Sequence, residues 1–272
     1  MTKSRAIRLL HITDPHLYAD QKGEIYGVVT DASFRAVLKH ACATAPGRID
    51  AVLATGDLVD DCSAAGYRRF VTRMAKFGVP VFCLPGNHDD PARMANILNA
   101  GLVQYCGDAT LGNWQIVLLD SHEAGKDSGR VSPEECARLD RQLSQSAATN
   151  ALVCVHHQVL PMGSPWLDSV GLVNADEVME ILSRHEQVRG VVWGHVHQAS
   201  DRTRKSMRLL STPSTCAQFT PNTDSCIMDM RPPGYRWIEL HVNGTIDTHV
   251  SWLEDWQVAN RPPDSRSAAD PA

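Results

Sequence analysis

Seven short runs rich in Val, Ile and Leu recur along this 272-residue chain, and amphipathic stretches separate most of them. The runs cover 7–13, 51–55, 79–84, 115–120, 151–156, 190–194 and 207–212. They are nearly continuous in apolar character. A strand that is wet on one face alternates, so continuous runs predict strands covered on both faces. Between them, 31–44 carries Phe34, Val37, Leu38 and Ala41 at helical spacing. Further helices are predicted over 63–77, 132–144 and 174–184. The third helix opens as Ser-Pro-Glu-Glu, with Ser132 as N-cap, Pro133 at the first position and Glu135 closing a capping box. Asn174 and Glu177 take the cap and box roles in the fourth. This succession restricts the chain to a layered α/β domain. The last third is more β-like: 235–242 alternates loosely, Asn243-Gly244 signals a hairpin, and 245–252 follows.

A hydrophobic share of 43% supports a packed core and argues against disorder. The length suits one domain over 1–258, with the Pro-, Ser- and Ala-rich stretch 259–272 expected as a flexible tail. A formal charge of -5 offers no basic surface, so no nucleic-acid partner is expected. The eight cysteines are spread evenly without a C-x-x-C pair. Reduced thiols and a cytoplasmic setting are expected. The apolar run after Lys3 and Arg5 soon meets Asp14, too early for a signal peptide or a membrane span, and no later segment reaches a span's length.

Five clusters of His, Asp and Asn follow apolar runs: Asp14-Pro-His16, Gly56-Asp57, Gly86-Asn87-His88-Asp89, Val155-His156-His157 and Gly194-His195-Val196-His197. Any one of them alone is ordinary, since a lone histidine is more often a core or surface residue than a ligand. Their shared position is the informative point. In open α/β sheets ligands gather at the carboxyl ends of the strands, so five such clusters converge on one rim. Together they supply donors for two metal ions, with one histidine to spare for proton transfer. Asp57, alone on its loop and central in order, is the natural bridging carboxylate. Mixed imidazole and carboxylate donors suit Mn, Fe or Zn better than Ca.

The order Asp-x-His, Gly-Asp, Gly-Asn-His, His, Gly-His-x-His resembles the calcineurin-like metallophosphoesterases. That resemblance implies two β-sheets packed together and flanked by helices. It implies Asp14, His16 and His197 on one ion, Asn87, His156 and His195 on the other, and Asp57 between them. It makes His88 the catalytic histidine near the leaving-group oxygen, oriented by Asp60; the competing reading has Asp60 and Asp61 capping the helix at Ser63. Substrate contacts are implied for His16, Asp57, Asn87, His88, His156 and His197. His157 competes with His156 as ligand, because the usual His-x-Pro reads His-x-Gln here; strand alternation favours His156.

Further stretches, 86–91, 164–168, 212–221 and 233–240, resemble bacterial class III 3′,5′-cyclic-AMP phosphodiesterases across nearly the whole chain. The resemblance implies a small-molecule phosphodiester substrate and hydrolysis of 3′,5′-cyclic AMP to 5′-AMP. A metal-bound hydroxide would attack in line with the 3′ oxygen, at a pair of divalent or mixed-valence ions, iron or manganese. The loop 212–221 reads either as a Pro- and Thr-rich connection or as the substrate lip near the base, and Trp166 is expected to pack rather than stack on adenine. Broader hydrolysis of small diesters, such as 2′,3′-cyclic nucleotides or glycerophosphodiesters, is the main alternative. A nucleotide-sugar or lipid pyrophosphatase and a metal-free scaffold are the remaining readings. Oligomeric state, including a homo-oligomer, is left open.

Overall fold

The computed structural model describes residues 5–256. In chain order the strands begin with β1 (Ile7–Ile12), a small hairpin of β2 (Glu24–Ile25) and β3 (Val28–Val29), β4 (Ala51–Thr55) and β5 (Val81–Leu84). They continue with β6 (Val103–Tyr105), β7 (Gly107–Leu111), β8 (Trp114–Leu118), β9 (Asn150–Val155) and β10 (Val188–Trp193). The last are β11 (Ser200–Arg204), β12 (Met207–Ser211), β13 (Gln218–Phe219), β14 (Met228–Asp229), β15 (Gly234–Leu240) and β16 (Ile246–Trp252). Six helices intervene: α1 (Thr30–Thr44), α2 (Ala64–Met74), α3 (Pro91–Ile97), α4 (Pro133–Gln145), α5 (Pro165–Asp168) and α6 (Ala175–Ser183).

Two six-stranded sheets form, ordered β16-β15-β1-β4-β5-β6 and β11-β12-β10-β9-β8-β7. In the first, β1, β4, β5 and β6 are parallel and β15 and β16 join antiparallel; in the second, β12, β10, β9 and β8 are parallel, with β11 and β7 antiparallel at the edges. Leu9, Leu53, Phe82 and Ile238 of the first sheet pack between the sheets against Ile116, Leu152, Val192 and Leu210 of the second. The other face of the first sheet, with Leu10, Val52 and Cys83, is covered by Phe34 and Val37 of α1 and Phe70 of α2. Val153, Val191 and Trp193 on the second sheet's outer face meet Leu139 of α4 and Val178 of α6. Both faces of each sheet are therefore dry, which is why the runs are nearly continuous. Burial of each large apolar side chain contributes ~1.5–3 kcal/mol.

The predicted strands and helices lie where the runs and amphipathic stretches place them, with shifted ends. The third strand begins at Val81, because Pro80 offers no N–H to the ladder. The second helix ends at Met74 and passes into a 3₁₀ turn, Ala75–Phe77, stopped by Gly78 at φ 64°. Two capping expectations need correction. Ser132 does accept the Glu135 N–H, but the Glu135 carboxylate turns to the Asp120 N–H and Arg138, so the box is half-formed. Asn174 makes no side-chain cap; its amide instead pairs with the N–H and carbonyl of Val131, a neighbour only the tertiary fold supplies.

All eight cysteines carry free thiols. Among the described residues no helix is long and apolar enough to cross a membrane. The tail expectation, 259–272, lies outside the described residues.

Candidate metal centre

Backbone pairs that run past the strand ends build the rim. The Asp14 N–H donates to Gly56 O (3.1 Å) and the His16 N–H to Asp57 O (2.9 Å), tying the loops after β1 and β4 together. The Gly194 N–H donates to His156 O (3.1 Å), joining the loops after β10 and β9. Between the sheets, the His195 N–H donates to the Asp14 carboxylate (3.1 and 3.2 Å). Asp14, His16, Asp57, His195 and His197 all have φ between 44 and 63°. Left-handed backbone costs a non-glycine residue roughly 1–2 kcal/mol, and here it gathers where the side chains are aimed. Two glycines permit the crowding. A Cβ on Gly86 would stand 2.1 Å from Asp57 Oδ1, and one on Gly194 2.0 Å from Thr13 Oγ1.

Hydrogen bonds on the far side of three rings set their tautomers. His16 Nδ1 donates to Asp60 Oδ1 (2.9 Å), His197 Nδ1 to Ala217 O (2.8 Å) and His156 Nδ1 to Thr55 O (2.7 Å). In the neutral ring this leaves each Nε2 lone pair turned inward, free for an ion in place of a proton. His16 Nε2 and His197 Nε2 stand 3.3 Å apart, with Asp14 Oδ1 3.4 Å from the latter. On the other side, Asn87 Oδ1 lies 3.1 Å from His156 Nε2 and 3.0 Å from His195 Nδ1. Asp57 Oδ2 faces both groups, 3.8 Å from His16 Nε2 and 3.4 Å from His156 Nε2. Its Oδ1 accepts the His88 N–H (2.9 Å). Lone pairs facing lone pairs repel unless a cation lies among them. Neighbouring donors around a first-row ion stand about 3.0–3.4 Å apart, so the donor set and its spacing fit two ions sharing Asp57.

The charges follow. Burial would raise Asp57, but His156 and His88 hold its carboxyl well below the usual range. Burial opposes the charged form of His156, yet Asp57 lifts it to about 9. His195 goes the other way: burial, then the His156 charge, lowers it to about 3, leaving a neutral imidazole suited to ligation. His88 sits at the mouth, its side chain 41% exposed, with Nδ1 3.1 Å from the same Asp60 oxygen that holds His16. Burial works against its charge, but Asp57 and Asp60 raise it to about 10.

The structure thus brings Asp14, His16, Asp57, Asn87, His156, His195 and His197 into one buried cleft, with His88 and Asp60 at its edge. The helix at Ser63 is capped by its own hydroxyl, which accepts the Gly66 N–H. Asp61 braces that turn through the N–H groups of Ala19 and Ser63. Asp60 faces His16 and His88 instead. His157 has both nitrogens engaged, with Ser121 Oγ (2.8 Å) and Asp127 O (3.1 Å). Trp166 is half-buried, with its Nε1 3.3 Å from Thr223 Oγ1 and its ring edge-on to Phe219.

Sequence reasoning missed Asp89. Its buried carboxylate accepts the N–H groups of Leu58 (3.0 Å), Val59 (3.1 Å) and Gly86 (3.0 Å) and the hydroxyl of Tyr67 (2.9 Å). It thereby clamps the loop carrying Asp57 to the loop carrying Asn87 and His88. Its place at the end of Gly-Asn-His-Asp was the available signal.

Residues 7–199 match the family model described as calcineurin-like phosphoesterase. The chain is 41% identical over 249 residues to a 3′,5′-cyclic adenosine monophosphate phosphodiesterase of Haemophilus influenzae, covering 91% of this chain and 90% of that one. It is 39% identical over 250 residues to the enzyme of the same description from Escherichia coli K12, with 92% and 90% covered. Among solved structures, a dimetal phosphatase from Danio rerio superposes with a TM-score of 0.65 at 16% identity, over 88% of this chain and 94% of that one, a likeness of fold.

Proposed function

This chain belongs to the calcineurin-like phosphoesterase family, and from that premise we propose that it hydrolyses 3′,5′-cyclic AMP to 5′-AMP at a two-ion centre. The carrying observation is the pair of inward-facing donor groups that share Asp57 Oδ2. Asp14, His16 and His197 would hold one ion, Asn87, His156 and His195 the other, and iron or manganese suits these donors. Ions held there supply Lewis acidity and an activated water for attack on phosphorus.

The chain's own residues do the rest. The carbonyls of Thr55 and Ala217 and the Asp60 carboxylate fix three imidazoles with Nε2 forward, so the donors need no reorientation. His88, with Nδ1 turned to Asp60, presents Nε2 toward the mouth. There it donates a proton, or a hydrogen bond, to the departing 3′ oxygen. The 36–41% identity to cyclic-AMP phosphodiesterases over most of both chains supports the substrate, and the reduced thiols suit a cytoplasmic enzyme.

Metal analysis of the purified protein, paired with turnover of 3′,5′- and 2′,3′-cyclic nucleotides, tests the proposal. The expected result is two ions per chain and faster hydrolysis of 3′,5′-cyclic AMP. If the fully metallated protein leaves that compound untouched while cleaving other diesters, the substrate assignment is wrong and the broader diesterase reading takes its place.

A further inference from the structure

The cleft needs a surface for whatever the phosphodiester carries, and the loop 212–221 supplies its aromatic, Phe219, to another purpose. The Phe219 ring lies nearly parallel to His197 (4.5 Å, 15°), meets Trp166 edge-on at 5.2 Å, and is only 8% exposed. It backs a metal-facing imidazole and has no open face for a substrate.

Tyr26 stands one ring further out. It is 40% exposed and edge-on to Phe219 at 5.9 Å. It occupies the two-residue tip of the β2–β3 hairpin with Gly27, at φ 49° and 76°. Such a tip favours Asn-Gly, and a bulky aromatic there is out of place on backbone grounds. The ring is therefore held in a strained position at the mouth. Burial, Cys226 and the Asp60 carboxylate together push its phenol up to about 12. Tyr26 thus continues outward the row of rings that begins at His197. A nucleobase is separated from the reacting phosphorus by one ribose, and the row of rings leads outward from His197 through Phe219 to Tyr26. Ile227, 49% exposed and next to Cys226 on the adjoining segment, extends the apolar edge.

We propose that the exposed ring of Tyr26 is the nucleobase platform of this site, making Tyr26 a specificity-determining residue for nucleotide substrates. The inference rests on the nucleotide reading of the cleft. Its test is arranged so that the two can fail separately. Inhibition of bis-p-nitrophenyl phosphate hydrolysis by 5′-AMP and by ribose 5-phosphate compares two ligands that differ only in the base. In the wild type 5′-AMP should bind more tightly. Tyr26→Asn removes the ring while suiting the left-handed turn, so the hairpin is kept. It should shrink the ratio of the two inhibition constants about 5-fold or more, the range of base–aromatic stacking. Tyr26→Phe should restore the ratio. An unchanged ratio in Tyr26→Asn, or equal binding of both monophosphates by the wild type, overturns the proposal. Failure to hydrolyse 3′,5′-cyclic AMP would overturn the substrate assignment instead, and the inhibition ratio would still decide the role of Tyr26.

Discussion

At the scale of single residues, Asp57 and His88 let the two proposed roles, holding metal and donating a proton, be tested apart. Asp57 gives one oxygen to the His88 N–H and turns the other toward both donor groups. Asp57→Ala should abolish activity and sharply lower bound metal, because two cations would face each other with less anionic screening. Near-normal turnover at full metal content would refute a bridging role. The His88 ring faces the mouth, edge-on to His16 at 4.9 Å, with its Nδ1 on Asp60, while only its backbone N–H meets Asp57. His88→Ala should keep its metal and lose roughly 10²–10⁴-fold in turnover of an alkyl-type diester. The loss should shrink on bis-p-nitrophenyl phosphate, whose leaving group needs little protonation. Equal losses on both substrates would remove His88 from the proton-donor role. The donor side chains were legible because their residue types and strand-end positions carry the chemistry. The partners that aim them were not: Thr55 O and Ala217 O are backbone carbonyls, which any residue would provide.

At the scale of elements, the strands most visible in the sequence are those buried on both faces. The weaker ones are short or lie at edges. Ser-Asp-Arg-Thr-Arg in β11 is almost wholly exposed and polar, a composition that protects an edge from further pairing but hides the strand. β7 alternates in burial across a short span beside β8. α3 has only seven residues, although Asp90 and Pro91 mark its start by the usual cap chemistry. The loops between elements carry the site, and Asp89 sets two of them in register. Asp89→Asn keeps one acceptor oxygen and turns an amide NH₂ toward the remaining donors. Each buried donor left unmatched costs about 1–3 kcal/mol. We expect a lower melting temperature and metal affinity weakened by about 10- to 100-fold, the range for partners that hold ligands in place. Isothermal titration with Mn²⁺ would measure this; wild-type affinity in a folded variant would mean the loops keep their register without the carboxylate.

At the scale of the molecule, the two sheets meet through a dry interior interrupted near the rim by a polar node. His11 on β1 joins Thr55 at the end of β4 (2.8 Å) to Thr212 after β12 (2.7 Å), and Thr55 reaches Thr13 (2.9 Å). Burial, and then the Arg236 charge, lower His11 from 6.5 to about 3. The folded state therefore binds the proton less readily than the unfolded chain. The stability this contributes is present above pH 6.5 and is lost as the pH falls from there toward 3. Denaturant titrations at pH 7.5 and 4.5 should show His11→Gln less stable than wild type at the higher pH but losing less on acidification. Equal losses in the two proteins would assign the acid sensitivity to other groups. The same seam gives the centre a second consequence. Asp14, His16, Asp57 and Asn87 come from the first sheet's loops, while His156, His195 and His197 come from the second's. Only a chain with both sheets docked presents this whole donor set, so under the proposed two-ion reading ion binding and docking would be thermodynamically linked. At 100 times the dissociation constant, such linkage raises stability by about 2.7 kcal/mol. Chelation should lower the melting temperature, and adding metal back should raise it with the logarithm of free ion. A melting curve would then report metal supply: in a metal-starved cell the population of this protein would fall through unfolding and proteolysis, beyond what lost catalysis alone explains.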